Sequence, residues 1–269
     1  MYTPSFCSPQ GARRKTLIVF LFFSFFYLGH ANAIVNLDNL HLGKKDAGFR
    51  GDVSFGLNGA SGHSERFGVK SSASAQWSME DLLYYMSFNY SYGENSGVED
   101  QNKGFLHARR INEISNSVAW EAFSQIEHNK FARLNFRGLL GGGVRYEINH
   151  KSDSHQSFLG LGGFYSREDF TNSNNASDNG VEDIWRANIY LLERVSFSKN
   201  VSFFETLYFQ PSLNAVEDFR ILNILGLKTK ITTQFSMSFS LEATHDSRPP
   251  QNIAKTDFNY STSIEYHFF

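Results

Sequence analysis

Runs of about ten residues in which apolar and polar side chains alternate recur along this chain, and that period of two limits what it can fold into. Leu82, Tyr84, Met86, Phe88, Tyr90 and Tyr92 alternate with Leu83, Tyr85, Ser87, Asn89 and Ser91. Phe235, Met237, Phe239 and Leu241 alternate with Ser236, Ser238, Ser240 and Glu242. The last run, "FNYSTSIEYHFF", does the same with Phe258, Tyr260, Ile264, Tyr266 and Phe268. A period of two sends one set to each face of a β-strand, so every such strand asks for an apolar environment on one side only.

The N-terminal segment has a different character. Arg13, Arg14 and Lys15 precede an apolar run from Leu17 to Leu28, and Ala31, Asn32 and Ala33 then supply a small-x-small pattern. This predicts a cleaved signal peptide over residues 1–33 and an exported domain over residues 34–269. The apolar run is shorter than the roughly 20 residues a spanning helix needs. The single cysteine, Cys7, lies within the 1–33 segment, so the exported domain is expected to use neither disulfides nor thiolate chemistry. Three basic and no acidic residues go with it, leaving 22 basic against 27 acidic residues. A mildly acidic chain without a Lys/Arg block does not suit a row of phosphates, so nucleic acid is not an expected partner.

Beyond that segment no apolar stretch has helical spanning length, and a membrane crossing would require a closed barrel. The alternation predicts an all-β, transmembrane antiparallel β-barrel of about twelve strands, approximately 48–59, 65–77, 82–93, 104–112, 117–127, 131–148, 156–166, 183–198, 201–211, 219–230, 235–245 and 255–268. With the N-terminus in the periplasm, the turns at 78–81, 198–200 and 231–234 fall there. The polar segments Glu94 to Lys103, Arg167 to Asp183 and Asp246 to Ala254 become long external loops.

The hairpin "SVAWEAFSQIEHNKFARLNFRG" decides between lipid and a dry core. Trp120, Ala122, Ile126, Ala132, Leu134 and Phe136 are expected to face out, and Glu121, Phe123, Gln125, Glu127, Phe131, Arg133, Asn135 and Arg137 to face in. A turn at His128, Asn129 and Lys130 then sets Gln125 opposite Arg133 and Glu121 opposite Arg137. A soluble sandwich would have to bury that charge or expose the aromatic face; lipid outside and a charged lumen inside resolve the conflict. Tyr92, Trp120, Trp185 and Tyr266 fall where interfacial aromatic girdles sit.

The stretch beginning "IVNLDNLHLGKKDAGFRGDVSFGLNG", with "EAFSQ" and "NKFARLNFRGLLGGGVR" further on, resembles the salt-induced outer-membrane protein family, a domain of unknown function (481). The likeness runs over most of the chain from Ile34. It implies an outer-membrane location and a barrel, with no assigned reaction. Where that family commonly shows Ser-Gly-Asn, this chain reads Ser61, Gly62, His63, Ser64. The ending is similar to the final strand of outer-membrane barrels, which implies that Tyr266, Phe268 and the extra Phe269 form a signal read by the barrel assembly machinery.

The residues present little reaction chemistry. The histidines never form H-E-x-x-H, so no metal is expected. Gly141 to Gly143 lack the Lys-Ser or Lys-Thr of a phosphate loop and are expected to relieve crowding in a strand. His155 and Ser157 share a strand face in a His-x-Ser arrangement similar to that of outer-membrane lipid A deacylases. Arg109, Glu121, Gln125, Arg133, Arg137 and Arg186, with Glu193 and Arg194, are candidates for the lumen wall, either filling it or lining a passage that attracts anions.

The chain therefore reads as a non-enzymatic integral outer-membrane protein without a cofactor, structural or a narrow channel. Its expected partners are outer-membrane lipid, lipopolysaccharide and the assembly machinery. The alternatives are a deacylase-like, lipid-modifying enzyme and a surface-binding protein acting through its long loops.

Overall fold

The computed structural model describes residues 47–60, 65–149, 152, 154–170, 180–250 and 252–268. The proposed signal segment, Ser61 to Ser64 and Phe269 lie outside the described residues. The alternating runs form β1 (Gly48–Ala60), β2 (Arg66–Ser78), β3 (Leu82–Asn95), β4 (Val98–Ser115), β5 (Val118–Asn129), β6 (Leu134–Glu147), β7 (His155–Phe170), β8 (Gly180–Ser196), β9 (Val201–Pro211), β10 (Phe219–Lys230), β11 (Phe235–Asp246) and β12 (Thr256–Phe268). Each pairs antiparallel with its sequence neighbours, and β12 returns to β1 to close a twelve-stranded barrel. An even strand count brings the start of β1 and the end of β12 to one rim, here called the terminal rim; the opposite one is the loop rim.

The two faces are inverted relative to a water-soluble protein. Phe55, Trp77, Leu140, Leu161, Trp185 and Tyr260 stand exposed on the outer wall. The residues withdrawn from solvent include His107, Arg109, Glu121, Arg137, Glu168 and Arg220. Alternation alone produces this once the ladder is closed, because each strand must turn the same parity inward.

Two connections differ from expectation. Glu94 to Lys103 is not a loop: β3 and β4 continue through it to a two-residue turn, Ser96 and Gly97, at φ 52° and 77°. Positive φ at both central residues matches the right-handed twist of a tight hairpin, and Gly97 accepts it without steric cost. The turn is tied down from its flanks, since Arg66 pairs with Asp100 at 3.1 Å and Lys130 with Glu99. Likewise β7 and β8 run to Phe170 and from Gly180, so most of Arg167 to Asp183 is strand; residues 171–179 lie outside the described set.

The β5–β6 register also departs from expectation. A 3-10 turn, Lys130–Ala132, is capped by the Asn129 side chain, and Arg133 follows in the left-handed region at φ 58°. These residues lengthen the turn, so Glu127 lies opposite Arg137, Gln125 opposite Leu139 and Glu121 opposite Gly143. Ala132 and Leu134 are buried with Phe170 at the loop rim instead of facing out, and Phe131 is exposed instead of facing in.

Candidate functional site: the barrel lumen

The lumen has two unlike sides. On the β4–β10 side it is filled. Ile111, Phe158, Tyr190, Leu192, Tyr208, Leu222 and Ile224, joined by Tyr85 from β3, form one buried cluster that runs from the terminal-rim half to mid-depth. Inward glycines give the rings room: a Cβ at Gly160 would lie 2.1 Å from the Tyr190 ring, and one at Gly226 would lie 2.0 Å from that of Phe204. Where β6 meets β7, Gly142 and Gly143 pair with Gly163 and Gly162, and a Cβ at Gly143 would meet Leu161 O at 2.5 Å. The glycine run therefore serves close packing.

Toward the loop rim the fill becomes ionic. Arg137 touches Glu127 and Glu168, each at 3.0 Å. Glu168 also takes a forked pair from Arg220, at 2.7 and 2.8 Å, while Arg220 Nε donates to Asp246 at 2.9 Å. Glu168 on β7 and Arg220 on β10 are separated by two strands along the wall, so this contact crosses the interior. Closer to the middle, Arg109 donates to Glu121 at 3.1 Å, and the Tyr190 hydroxyl donates to the same carboxylate at 2.8 Å. The Arg109 guanidinium lies 5.1 Å from the Phe123 ring centroid and 5.6 Å from that of Tyr190. Such pairs hold because every carboxylate has a cation and hydrogen bonds; an unpaired charge at this burial would be strongly unfavourable.

The other side, from β11 through β12 and β1 to β3, is a wall of hydroxyls. Cross-strand serines pair with one another: Ser54 with Ser72 at 2.7 Å, Ser238 with Ser263 at 2.9 Å and Ser240 with Ser261 at 2.9 Å. Between this wall and the filled side lies a cavity with about 680 Å³ of empty space, counted with its mouth, bordered by Lys70, Asn89, Phe204, Lys228 and Glu265. Toward the terminal rim the wall closes through Asp52 with His267, Lys228 with Glu265, and Gln76 with Ser78. At the loop rim a further strut crosses the interior, Lys103 on β4 to Glu242 on β11, at 3.4 Å.

Of the expected lumen residues, Arg109, Glu121, Gln125, Arg137 and Arg186 are buried inside. Arg186 pairs with Asp218 of the β9–β10 connection at 3.0 Å. Arg133 is corrected: it sits half-exposed in the turn, because the 3-10 geometry takes it out of the wall's alternation. Glu193 is corrected as well, since it shares the outward parity of Leu191 and contacts His155 and Ser157. Sequence reasoning missed Glu168, Arg220 and Asp246, which fall at strand ends written in loop-like composition. Tyr266 packs against Phe235 and Phe268 on the outer wall at the terminal rim, with centroids 5.1 and 4.7 Å apart.

His155 and Ser157 do meet, Nε2 to Oγ at 3.0 Å. The other ring nitrogen receives the Asn149 amide at 3.4 Å. Ser157 is only 2% exposed.

Against known proteins, the profile of the family described as "Protein of unknown function, DUF481" matches residues 53–268. The chain belongs to the DUF481 family. Its description assigns no activity. No curated protein matches the chain. Among solved structures, a DUF481 chain of this shape is similar to the NanC porin (TM-score 0.50, 6% identity, 82% of this chain and 100% of that one). It is also similar to the translocator domain of the autotransporter NalP from Neisseria meningitidis (0.48, 11%, 87% and 90%). A third likeness is to the KdgM porin in complex with disordered oligogalacturonate (0.46, 10%, 82% and 99%). At 6% identity the likeness to the NanC porin is one of fold, a porin-like barrel.

Proposed function

We propose that this DUF481 protein is an integral outer-membrane β-barrel with no reaction of its own, whose charged lumen is closed at mid-depth or passes only a narrow stream of small solutes. The observation that carries this reading is the inversion of its faces: a continuous apolar outer wall around an interior of paired charges and hydroxyls. Water outside would leave the aromatic wall exposed far beyond what a soluble monomer tolerates, whereas lipid covers it. The struts Glu168–Arg220 and Tyr190–Glu121 support structural filling over open transport. Partners consistent with this reading are outer-membrane lipid, lipopolysaccharide and the assembly machinery that would read Tyr266 and Phe268.

Planar bilayers test it. The refolded wild-type protein should give no porin-sized conductance steps, whereas replacing both Tyr190 and Tyr208 with Ala should create resolvable ones by emptying the mid-depth cluster. Large steps in the wild type would overturn the closed lumen. Solubility without detergent would overturn the membrane reading. A lipid product lost on Ser157→Ala would restore the enzyme reading, which the burial of Ser157 disfavours.

A further inference from the structure

The weakest part of the wall is the seam where the barrel closes. β1 and β12 pair over five residues only, from Gly51 with Phe268 to Phe55 with Ile264. Both strands continue: β1 pairs with β2 as far as Ala60, and β12 with β11 as far as Thr256. The seam register would extend as Gly56 with Ser263 to Ala60 with Asn259, and those pairs are not formed. The strands are still close at Gly56, where a Cβ would lie 3.0 Å from Thr262 O; from there on, among the described residues, the ladder between them stops.

This break in the ladder lies at the depth of the apolar wall. Leu57 and Tyr260 flank it, 63% and 81% exposed, and Phe258 lies further still toward the loop rim. Backbone N–H and C=O groups left unpaired in hydrocarbon cost several kcal/mol each, so a gap at this depth calls for a polar occupant that itself belongs in a membrane. The serine-lined cavity lies directly behind the gap, with Ser54 on β1 and Ser261 and Ser263 on β12 among its walls. Lys70 borders it too and donates to Ser261 at 3.2 Å; the Glu242 carboxylate feels its charge but makes its ion pair with Lys103. Ser87, 4% exposed, also borders the cavity, and its hydroxyl has no partner among the described residues.

Resting on the outer-membrane reading, we infer that the β1–β12 seam is a lateral opening on the loop-rim side of the membrane, through which the anionic headgroup of a membrane lipid enters the serine cavity and is held by Lys70 and Ser87, its chains staying outside against Leu57 and Tyr260. The phosphate supplies acceptors for the ammonium and hydroxyls, and its ester and glycerol oxygens reach the free strand edges. A lipid is favoured over a soluble anion because the entrance is walled by apolar side chains.

Native mass spectrometry of the refolded full chain in zwitterionic detergent tests this with three probes: phosphatidylglycerol, phosphatidylcholine and glycerol phosphate. One phosphatidylglycerol should bind per chain in preference to phosphatidylcholine. Lys70→Ala should weaken it by about tenfold or more, the size of one charge-assisted hydrogen bond. Lys199→Ala, which removes the same charge from an exposed terminal-rim turn, should not. Leu57→Asp should weaken the lipid, and glycerol phosphate should fail to compete. Equal binding of the two lipids, or no effect of Lys70→Ala, would overturn the headgroup site. Glycerol phosphate binding as well as the lipid, with Leu57→Asp silent, would overturn the lateral route and leave a soluble-anion site filled from the loop rim. Failure of the outer-membrane reading would appear separately, as loss of heat-modifiable gel mobility in every variant, and would overturn this inference with it.

Discussion

Glu168 occupies the most heavily committed position among the described residues. It is fully buried and serves both Arg137 and Arg220 as well as the Ser166 hydroxyl. Replacing it with Ala leaves Arg137 with Glu127 alone and Arg220 with Asp246 alone, and breaking buried pairs in this way costs about 3 to 5 kcal/mol. Glu168→Ala should therefore lower the temperature of the gel-mobility shift clearly. Glu217→Ala, which frees only the exposed Arg248, should leave it within the range of a surface pair, about 0 to 1 kcal/mol. Glu168 and Arg220 were not legible as a pair because they lie 52 residues apart, and alternation fixes only which way each points. Arg109 and Glu121 were more visible, since both sit in strongly alternating runs on neighbouring strands.

At the scale of elements, the twelve strands were legible to within a few residues because alternation sustained over about ten residues is a strong signal. It fades at the rims. Above the apolar band a strand has no reason to present greasy residues, so the tip "ENSGVEDQNK" carries loop composition yet pairs as a ladder through Asn95 and Val98. The β5–β6 turn failed for a different reason. Turn length was inferred from parity alone, whereas Asn129 accepts from the Ala132 amide at 3.2 Å and holds a 3-10 turn that shifts the register. That shift is testable. Arg133→Gly relieves a left-handed non-glycine residue outside the wall and should leave heat stability within about 1 kcal/mol of wild type. Arg137→Glu puts a third carboxylate beside Glu127 and Glu168 and should be far more disruptive. Equal effects would mean that Arg133, not Arg137, faces the acids.

At the scale of the whole molecule, closure and strand number followed from the sequence, but the unequal halves of the lumen did not. Both halves alternate equally well. What separates them is the choice of inward residue, tyrosine, leucine and arginine against serine and lysine, together with inward glycines such as Gly160 and Gly226 that let rings lie flat across the interior. Which rings meet depends on the closed geometry. The five-pair seam has a consequence in time as well as in space. Amides are protected from hydrogen exchange by the cooperativity of the unit that must open to expose them. β7 and β8 share sixteen register pairs and buttress the filled half, whereas β1 and β12 share five and face the hydroxyl wall. Deuterium should accordingly enter β1 and β12 first, progress to β2 and β11, and reach the β7–β8 amides last. The barrel would thus have a fixed point of departure for unfolding, at the join its chain makes last.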